Sequence, residues 1–261
     1  MKYIRGRAKL AWALLAVVVA AVAVTVAVGN AFAVKTLSPR TERERAAEAA
    51  DAKAPRPGAV DCATAKCVAL TFDGGPGAKT PEALRILAGE HVPATFFLEG
   101  RHVARHPGLV RAIDRAGHEI GNHSWNHPRL TEIPAAEARR ELERTQRALA
   151  GLTGRAPVLM RPPQGRTGKQ VSAICRELGL AQVLWSVTAK DYETHDPAVI
   201  EQRVLDGVRR DGVVLLHDQR PGSLPALPSI IDRLKAEGYT FVTFSQLLAP
   251  AVPRPGEVYR P

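Results

Sequence analysis

The chain has 261 residues, of which 45% are hydrophobic and 24% charged, a composition typical of a globular protein. This composition excludes a largely disordered protein, a collagen-like protein and a small disulfide-rich protein. A net charge of +10, from 36 Lys and Arg against 26 Asp and Glu, would suit a nucleic-acid binder only if the charge were concentrated in the folded domain.

The chain begins with a basic segment followed by an apolar one. Residues 1–9 carry four Lys or Arg and no acid, and an apolar run follows within residues 10–34. A run of about 20 apolar residues spans a bilayer as a helix, whereas the apolar part of a signal peptide has roughly 7–15. We therefore predict a single-pass anchor with its basic end in the cytoplasm and the domain outside. The alternative is a signal peptide cleaved after Ala33, which would give a secreted protein.

Two segments flank the predicted domain. Residues 35–65 are rich in Ala, Glu, Arg and Pro, lack aromatic residues and are predicted to be a linker. Residues 249–261 are rich in Pro and are predicted to be a tail without regular structure. Cys62 and Cys67 are close enough in sequence to close a small disulfide loop outside the membrane, whereas Cys175 is interpreted as a buried thiol.

Residues 66–248 are predicted to form one α/β domain, because short β-rich runs alternate there with helical patterns. This alternation is typical of a mainly parallel sheet, either open or closed into a barrel. In both forms, functional groups collect at the carboxyl ends of the strands. The predicted strands are 68–72, 94–98, 119–121, 158–160, 182–187, 213–216 and 240–242.

Five of these strands are followed by residues capable of catalysis. The side chains are Asp73, His123, His127, Arg161, Asp191 and His217. His123 and His127 are four residues apart, which on one helical turn would point both imidazoles at a divalent metal. Activation of a water needs a base and a departing amine needs an acid, and Asp73 and His217 suit these two tasks.

The strand ends carry ordered motifs, namely TFDGGP at 71–76, HSWNH at 123–127, RPPQG at 161–165, DY at 191–192 and LLHD at 215–218. In the order and spacing of these motifs, the chain resembles the polysaccharide deacetylases of the NodB-homology class, carbohydrate esterase family 4. The resemblance covers residues 66–248. The resemblance implies an irregular (β/α) barrel of about seven parallel strands. It also implies metal-dependent removal of N-acetyl or O-acetyl groups from a cell-envelope polysaccharide such as peptidoglycan or a chitin-like polymer, with zinc expected and cobalt or nickel as alternatives.

The resemblance implies a role for each matched residue. Asp73 matches the base that acts on the water at the metal, and His217 matches the acid that protonates the leaving group. Arg161 pairs with the base, Asp191 pairs with the catalytic histidine, and His123 and His127 bind the metal. The implied substrate-binding positions are Pro162, Gln164, Gly165, Tyr192 and Leu215, the last as an apolar wall of the acetyl pocket.

Position 74 departs from the family pattern, in which a second aspartate binds the metal. With Gly74, the site is short of one ligand and one negative charge. Asp73 could move onto the metal, water or a nearby acid such as Glu99 could fill the position, or the site could bind glycan without turnover. A catalytically impaired glycan-binding wall protein on the same fold is therefore the alternative function.

The charge is unevenly divided along the chain, which decides the partners we expect. Residues 58–249 carry only +3 of the +10, because most of the excess lies in the N-terminal segment and the linker. We therefore expect a glycan substrate and a membrane as partners, no nucleic acid, and a monomer.

Overall fold

The structure is a computed structural model that describes residues 34–49 and 60–261. Except for residue 34, the predicted cytoplasmic segment (1–9) and membrane segment (10–34) lie outside these residues. Within the described ranges, no helix is long and apolar enough to cross a membrane. Thr36–Pro261 forms one compact unit.

The described part of the chain contains a ten-stranded sheet in which every pairing is parallel. The strands are β1 Thr36–Leu37, β2 Lys66–Asp73, β3 Thr95–Leu98, β4 Glu119–Asn122, β5 Leu159–Met160, β6 Ala181–Val183, β7 Val187–Thr188, β8 Gly212–Leu216, β9 Tyr239–Phe241 and β10 Val258–Tyr259. Their order is β1-β10-β6-β5-β4-β3-β2-β8-β7, and β9 pairs with the start of β2. The sheet is a parallel half-barrel. It is not closed, because no pairing among the described strands joins β7 to β1.

Helices follow most of the strands, as expected for parallel strands that need crossover connections. The helices are α1 Pro39–Ala49, α2 Thr80–Gly89, α3 Gly100–Arg105, α4 Pro107–Arg115, α5 Ala135–Thr153, α6 Lys169–Glu177, α7 Pro197–Gly207, α8 Ser223–Ala236 and α9 Phe244–Leu248. A short 3₁₀ turn covers Pro163–Gly165.

Alternation along β2 distributes its side chains between two cores. Val68, Leu70 and Phe72 belong to the larger buried cluster, which contains residues of the flanking helices. Cys67 and Ala69 belong to a second cluster on the other face of the sheet. This period of two is the reason that an almost continuous apolar run can serve both faces of a covered parallel sheet.

The predicted strands are found, with one division. The predicted strand 182–187 is two strands, because β6 pairs with β5 and β10 whereas β7 pairs with β8. Between them the chain leaves one part of the sheet and joins another, which periodicity alone does not reveal.

The prediction of a linker at 35–65 is wrong for its first part, and the prediction of an irregular tail at 249–261 is wrong at 258–259. β1 pairs with β10, which pairs in turn with β6, so residues 36–37 and 258–259 extend the sheet. On α1, Arg43 is buried, and its Nη2 lies 2.8 Å from Oδ2 of Asp211. Backbone pairing and a buried ion pair order these segments, and neither needs the aromatic residues whose absence suggested a linker.

The expected disulfide forms between Cys62 and Cys67, immediately before and within the start of β2. Cys175 is a free, buried cysteine on α6, and burial raises the pKa of its thiol to about 12. The disulfide therefore fastens the chain at the entry to the central strand, and Cys175 is interpreted as a core residue.

Candidate active site

The predicted residues lie at one edge of the sheet, at or after the ends of β2, β4, β5, β7 and β8. Asp73 is the last residue of β2, and His123, Arg161 and His217 directly follow β4, β5 and β8. Asp191 lies three residues beyond the end of β7. Because all the strands are parallel, their carboxyl ends lie at the same rim.

Asp73 is held by a buried guanidinium. Nη1 of Arg161 lies 2.8 Å from Oδ1 of Asp73 and donates a second bond of 2.7 Å to Oγ1 of Thr71. Burial lowers the pKa of Arg161, while the charge and hydrogen bond of Asp73 act in the opposite direction. The pair orients Asp73 through Oδ1, so Oδ2 is the oxygen left for a reacting proton.

His217 is oriented by a buried carboxylate in the same manner. Its Nδ1 lies 2.7 Å from Oδ1 of Asp191, whose Oδ2 accepts bonds from His217 N at 2.7 Å and Ser223 Oγ at 2.6 Å. Burial would lower the pKa of His217, but the hydrogen bond and charge of Asp191 leave it raised. For Asp191, burial would raise the pKa, yet the bond to His217 leaves it lowered. The bonded Nδ1 leaves Nε2 as the nitrogen that can exchange a proton.

His123 and His127 are brought together by a loop, so the expected helical turn is wrong. Ser124 and His127 adopt positive φ values of 62° each, and the two imidazole centroids are 4.9 Å apart. Nδ1 of His123 lies 2.8 Å from the carbonyl oxygen of Arg161, so it carries the proton, and Nε2 lies 3.7 Å from Oδ2 of Asp73. Burial lowers the pKa of His123, and it lowers that of His127 to about 4.

These two neutral imidazoles have the chemistry that a divalent metal requires. Gly74 supplies no side chain, and its φ of +88° places it in the left-handed region. Within residues 34–49 and 60–261, no three His, Cys, Asp or Glu side chains already stand together as a metal site. The nitrogen donors therefore fit the metal, and the donor set is one carboxylate short.

The predicted substrate-binding residues lie around this rim with different exposures. Tyr192 is 50% exposed, and its ring lies 6.0 Å edge-on from that of His217. Leu215 is buried in β8. Pro162 is buried and Gln164 exposed, with Oε1 of Gln164 accepting from Arg129. Gly165 lies so close to Trp185 that a Cβ at this position would come within 2.8 Å of the indole ring.

Three contributing residues had no role in the sequence interpretation. Thr71 accepts from Arg161 and donates to the carbonyl of Val214. Asp218 is buried and accepts from Thr80 Oγ1 at 2.5 Å. Thr71 and Asp218 both lie in the motifs identified in the sequence, so the motifs could have pointed to them. Ser223 opens α8, 32 residues from Asp191, and nothing in its local pattern marks it.

Comparisons with known proteins agree with this fold. The polysaccharide deacetylase family model matches residues 61–183. A peptidoglycan-N-acetylglucosamine deacetylase of Listeria monocytogenes is 39% identical over 185 residues, covering 70% of this chain and 39% of that protein. The chain thus spans about two fifths of the length of that relative.

Two solved structures show the same fold. The T48 deacetylase with substrate has a TM-score of 0.74 and 36% identity, with 77% of this chain and 100% of that chain covered. A pseudoenzyme of carbohydrate esterase family 4 from Bacillus anthracis has a TM-score of 0.69 and 30% identity, covering 75% of this chain and 70% of that chain.

The parallel half-barrel, with the predicted site residues at one rim, is the fold found in a deacetylase and in a pseudoenzyme of carbohydrate esterase family 4. The chain belongs to the polysaccharide deacetylase family, which is the NodB-homology class of carbohydrate esterase family 4.

Proposed function

We propose that the protein hydrolyses N-acetyl groups, or O-acetyl groups, of an amino sugar in a cell-envelope polysaccharide, with peptidoglycan as the preferred substrate. The observation that carries this proposal is the pair of oriented proton-transfer groups at one rim. Asp73 is held by Arg161 and His217 by Asp191, and the charge of Asp73 contributes to the raised pKa of His217. The Listeria relative supports peptidoglycan as the substrate class.

Asp73 is proposed as the base. Its Oδ1 is occupied by Arg161, so Oδ2 takes the proton of the attacking water without a change in the position of the carboxylate. A preorganised base removes the orientational cost from the reacting step.

His217 is proposed as the acid. When the carbon–nitrogen bond breaks, the leaving amine needs one proton, and imidazolium Nε2 donates it while Nδ1 stays bonded to Asp191. Water thus loses one proton to Asp73, and the amine gains one from His217. Transfer of a proton between the two groups then restores the starting state.

Zinc, cobalt or nickel, held by His123 and His127, would polarise the acetyl carbonyl and promote attack by water. A histidine that binds a metal is usually oriented by a hydrogen bond from its other ring nitrogen, and Nδ1 of His123 would be held in this way by the carbonyl of Arg161. Arg161 therefore positions both the base, through its side chain, and one imidazole, through its backbone.

A second candidate function is glycan binding without turnover. Gly74 favours it, because the residues as they stand lack a third converging donor. The Bacillus anthracis pseudoenzyme supports it, since the same fold exists there in an inactive form. In either case, we propose that the N-terminal segment holds the domain outside the cell membrane, or directs its secretion if cleaved after Ala33.

Acetate release separates the two functions. The purified protein, supplied in turn with zinc, cobalt and nickel, is expected to release acetate from peptidoglycan fragments, and chitooligosaccharides provide a second substrate arm. His217→Ala is expected to lower the rate by roughly 10² to 10⁴, the usual contribution of a positioned acid. His91→Asn, which alters an exposed histidine, is the matched control and should leave the rate unchanged. Glycan binding without acetate release under every condition would refute the catalytic proposal and support the alternative.

A further inference from the structure

We propose that Glu99 supplies the third protein donor to the metal, so that β3 provides the carboxylate that β2 lacks at Gly74. The inference rests on the metal requirement of the proposed function. It concerns which residue completes the site, and its test is metal binding rather than turnover.

The backbone places Glu99 between Gly74 and the histidine loop. On one side, Glu99 N donates to the carbonyl of Gly75 at 3.0 Å, and Gly74 N donates to that of Phe97 at 3.1 Å. On the other side, His123 N donates to the carbonyl of Leu98 at 3.0 Å. Glu99 therefore directly follows a strand whose two neighbours carry the base and a metal histidine.

The Glu99 carboxylate faces the space left by the missing side chain. Its Oε1 lies 3.6 Å from the point where a Cβ on Gly74 would stand. An aspartate at position 74 would extend its own carboxylate from that point. The oxygen of Glu99 thus reaches the same region from the neighbouring strand, over a longer side chain.

The environment of Glu99 suits a cation. The side chain is 8% exposed, and Arg101 Nε donates to its Oε2 at 2.7 Å from a side chain that is 43% exposed. His102 Nε2 lies 3.7 Å from the same oxygen. Both contacts are on the Oε2 side, so a buried carboxylate keeps Oε1 directed at position 74. A buried charge is costly unless it is paired or bound to a metal.

Glu99 is a better third donor than Asp73. Oδ1 of Asp73 is fixed by Arg161, which leaves only Oδ2. If Oδ2 bound the metal, no base would remain for the water. Recruitment of Glu99 keeps Asp73 for proton transfer and adds a carboxylate to the two imidazoles as the third donor.

The test is the affinity of the purified full chain for zinc, measured by competition with a chromophoric chelator. Glu99→Gln, which keeps the shape of the side chain, is expected to weaken zinc binding by at least about tenfold, as loss of a supporting group near a metal already does. It should also alter the visible absorption of the cobalt-loaded protein. Glu132→Gln, which removes an exposed carboxylate on the loop that follows the histidines, is the matched control and should bind zinc as the wild type does.

A rescue variant shows whether the carboxylate itself is what matters. In Glu99→Gln/Gly74→Asp, the carboxylate returns to β2, and zinc affinity is expected to recover to within a few-fold of wild type. The φ of +88° at position 74 is tolerated better by Asp than by most residues. Thermal unfolding of each variant without metal establishes that the fold is intact.

Three outcomes would overturn the inference: Glu99→Gln with wild-type zinc affinity and cobalt absorption, loss of affinity on Asp73→Asn but not on Glu99→Gln, or a wild-type chain that binds no metal. The inference and the proposed function fail separately. Zinc binding that depends on Glu99, together with no acetate release, would support the metal site and refute the deacetylase activity.

Discussion

At the residue scale, the candidate site is built from two pairs of opposite charge, a buried one at Asp73 and a partly exposed one at His217. In one pair Arg161 serves the carboxylate Asp73, and in the other Asp191 serves the imidazole His217. Each supporting residue is fully buried, so it fixes the position of its partner without contact with water. Two ionisable groups with opposite partners are what acid and base catalysis at one pH requires.

Asp191→Asn tests whether Asp191 supports His217 as the acid. Asp191 and Asp73 raise the pKa of His217, and Arg220 lowers it. Loss of the Asp191 charge therefore lowers the pKa of His217, and the ring loses its proton at a lower pH. Because the acid must be protonated, the alkaline limb of the pH profile of kcat/KM is expected to move to lower pH, with a lower maximum.

Ser223→Ala is the control for this profile, because it removes one hydrogen bond to Asp191 while the charge remains. It should shift the alkaline limb much less than Asp191→Asn does. An alkaline limb at the same pH in wild type and Asp191→Asn would contradict the assignment of His217 as the acid.

At the scale of the elements, the terminal segments complete the sheet. β10 lies between β1 and β6, and α1 is attached by Arg43, which donates to the carbonyl of Leu247 at 2.9 Å and pairs with Asp211. Asp211 stands just before β8, the strand that presents His217. α1 therefore supports the entrance of a strand whose exit carries a candidate catalytic group.

Arg43→Ala is expected to lower the free energy of unfolding by about 3–5 kcal/mol, because it removes the 2.8 Å partner of the buried Asp211 and leaves only Nε of Arg210, at 3.8 Å. Urea denaturation followed by circular dichroism measures this change. The matched control is Arg40→Ala on the same helix, whose ion pair with Glu44 is exposed and should contribute less than about 1 kcal/mol. Equal effects of the two substitutions would show that α1 is not held by Arg43.

At the scale of the whole molecule, β2 is the central element. It pairs with β3, β8 and β9 and carries Asp73 at its carboxyl end. The Cys62–Cys67 disulfide is at its opposite end. The disulfide restrains β2, and the neighbouring strands pair with β2. The disulfide should therefore stabilise the unit Thr36–Pro261 against cooperative unfolding.

Reduction of the disulfide is expected to destabilise the folded unit by about 2 kcal/mol, which is the chain-entropy value for so short a loop. The measurement is thermal or urea unfolding with and without reductant. Cys62→Ala/Cys67→Ala should match the reduced protein and should not respond to reductant, because Cys175 is a free thiol. A reductant effect that persists in this variant would assign the stabilisation to another source.

Much of the fold and site could be predicted from local pattern. β-rich runs with helices between them indicate parallel strands, and the residue after each strand is then assigned to one rim. This reasoning identified the strand ends that carry His123, Arg161 and His217. It did not find Ser223, because a hydroxyl far along the chain becomes a partner of Asp191 only when α8 packs.

The sequence by itself determined the parallel architecture and the family, and it predicted the site residues, because these depend on periodicity and on short motifs. Only the tertiary structure decided the pairing of β1 and β10 with the sheet, the division of the strand at 182–187 and the distance between Glu99 and Gly74. These features depend on strand pairing and on distances between residues remote in the chain. The missing carboxylate and Glu99 as a nearby acid are both visible in the sequence, whereas the 3.6 Å between Oε1 of Glu99 and the Cβ position of Gly74 arises only because two strands lie side by side.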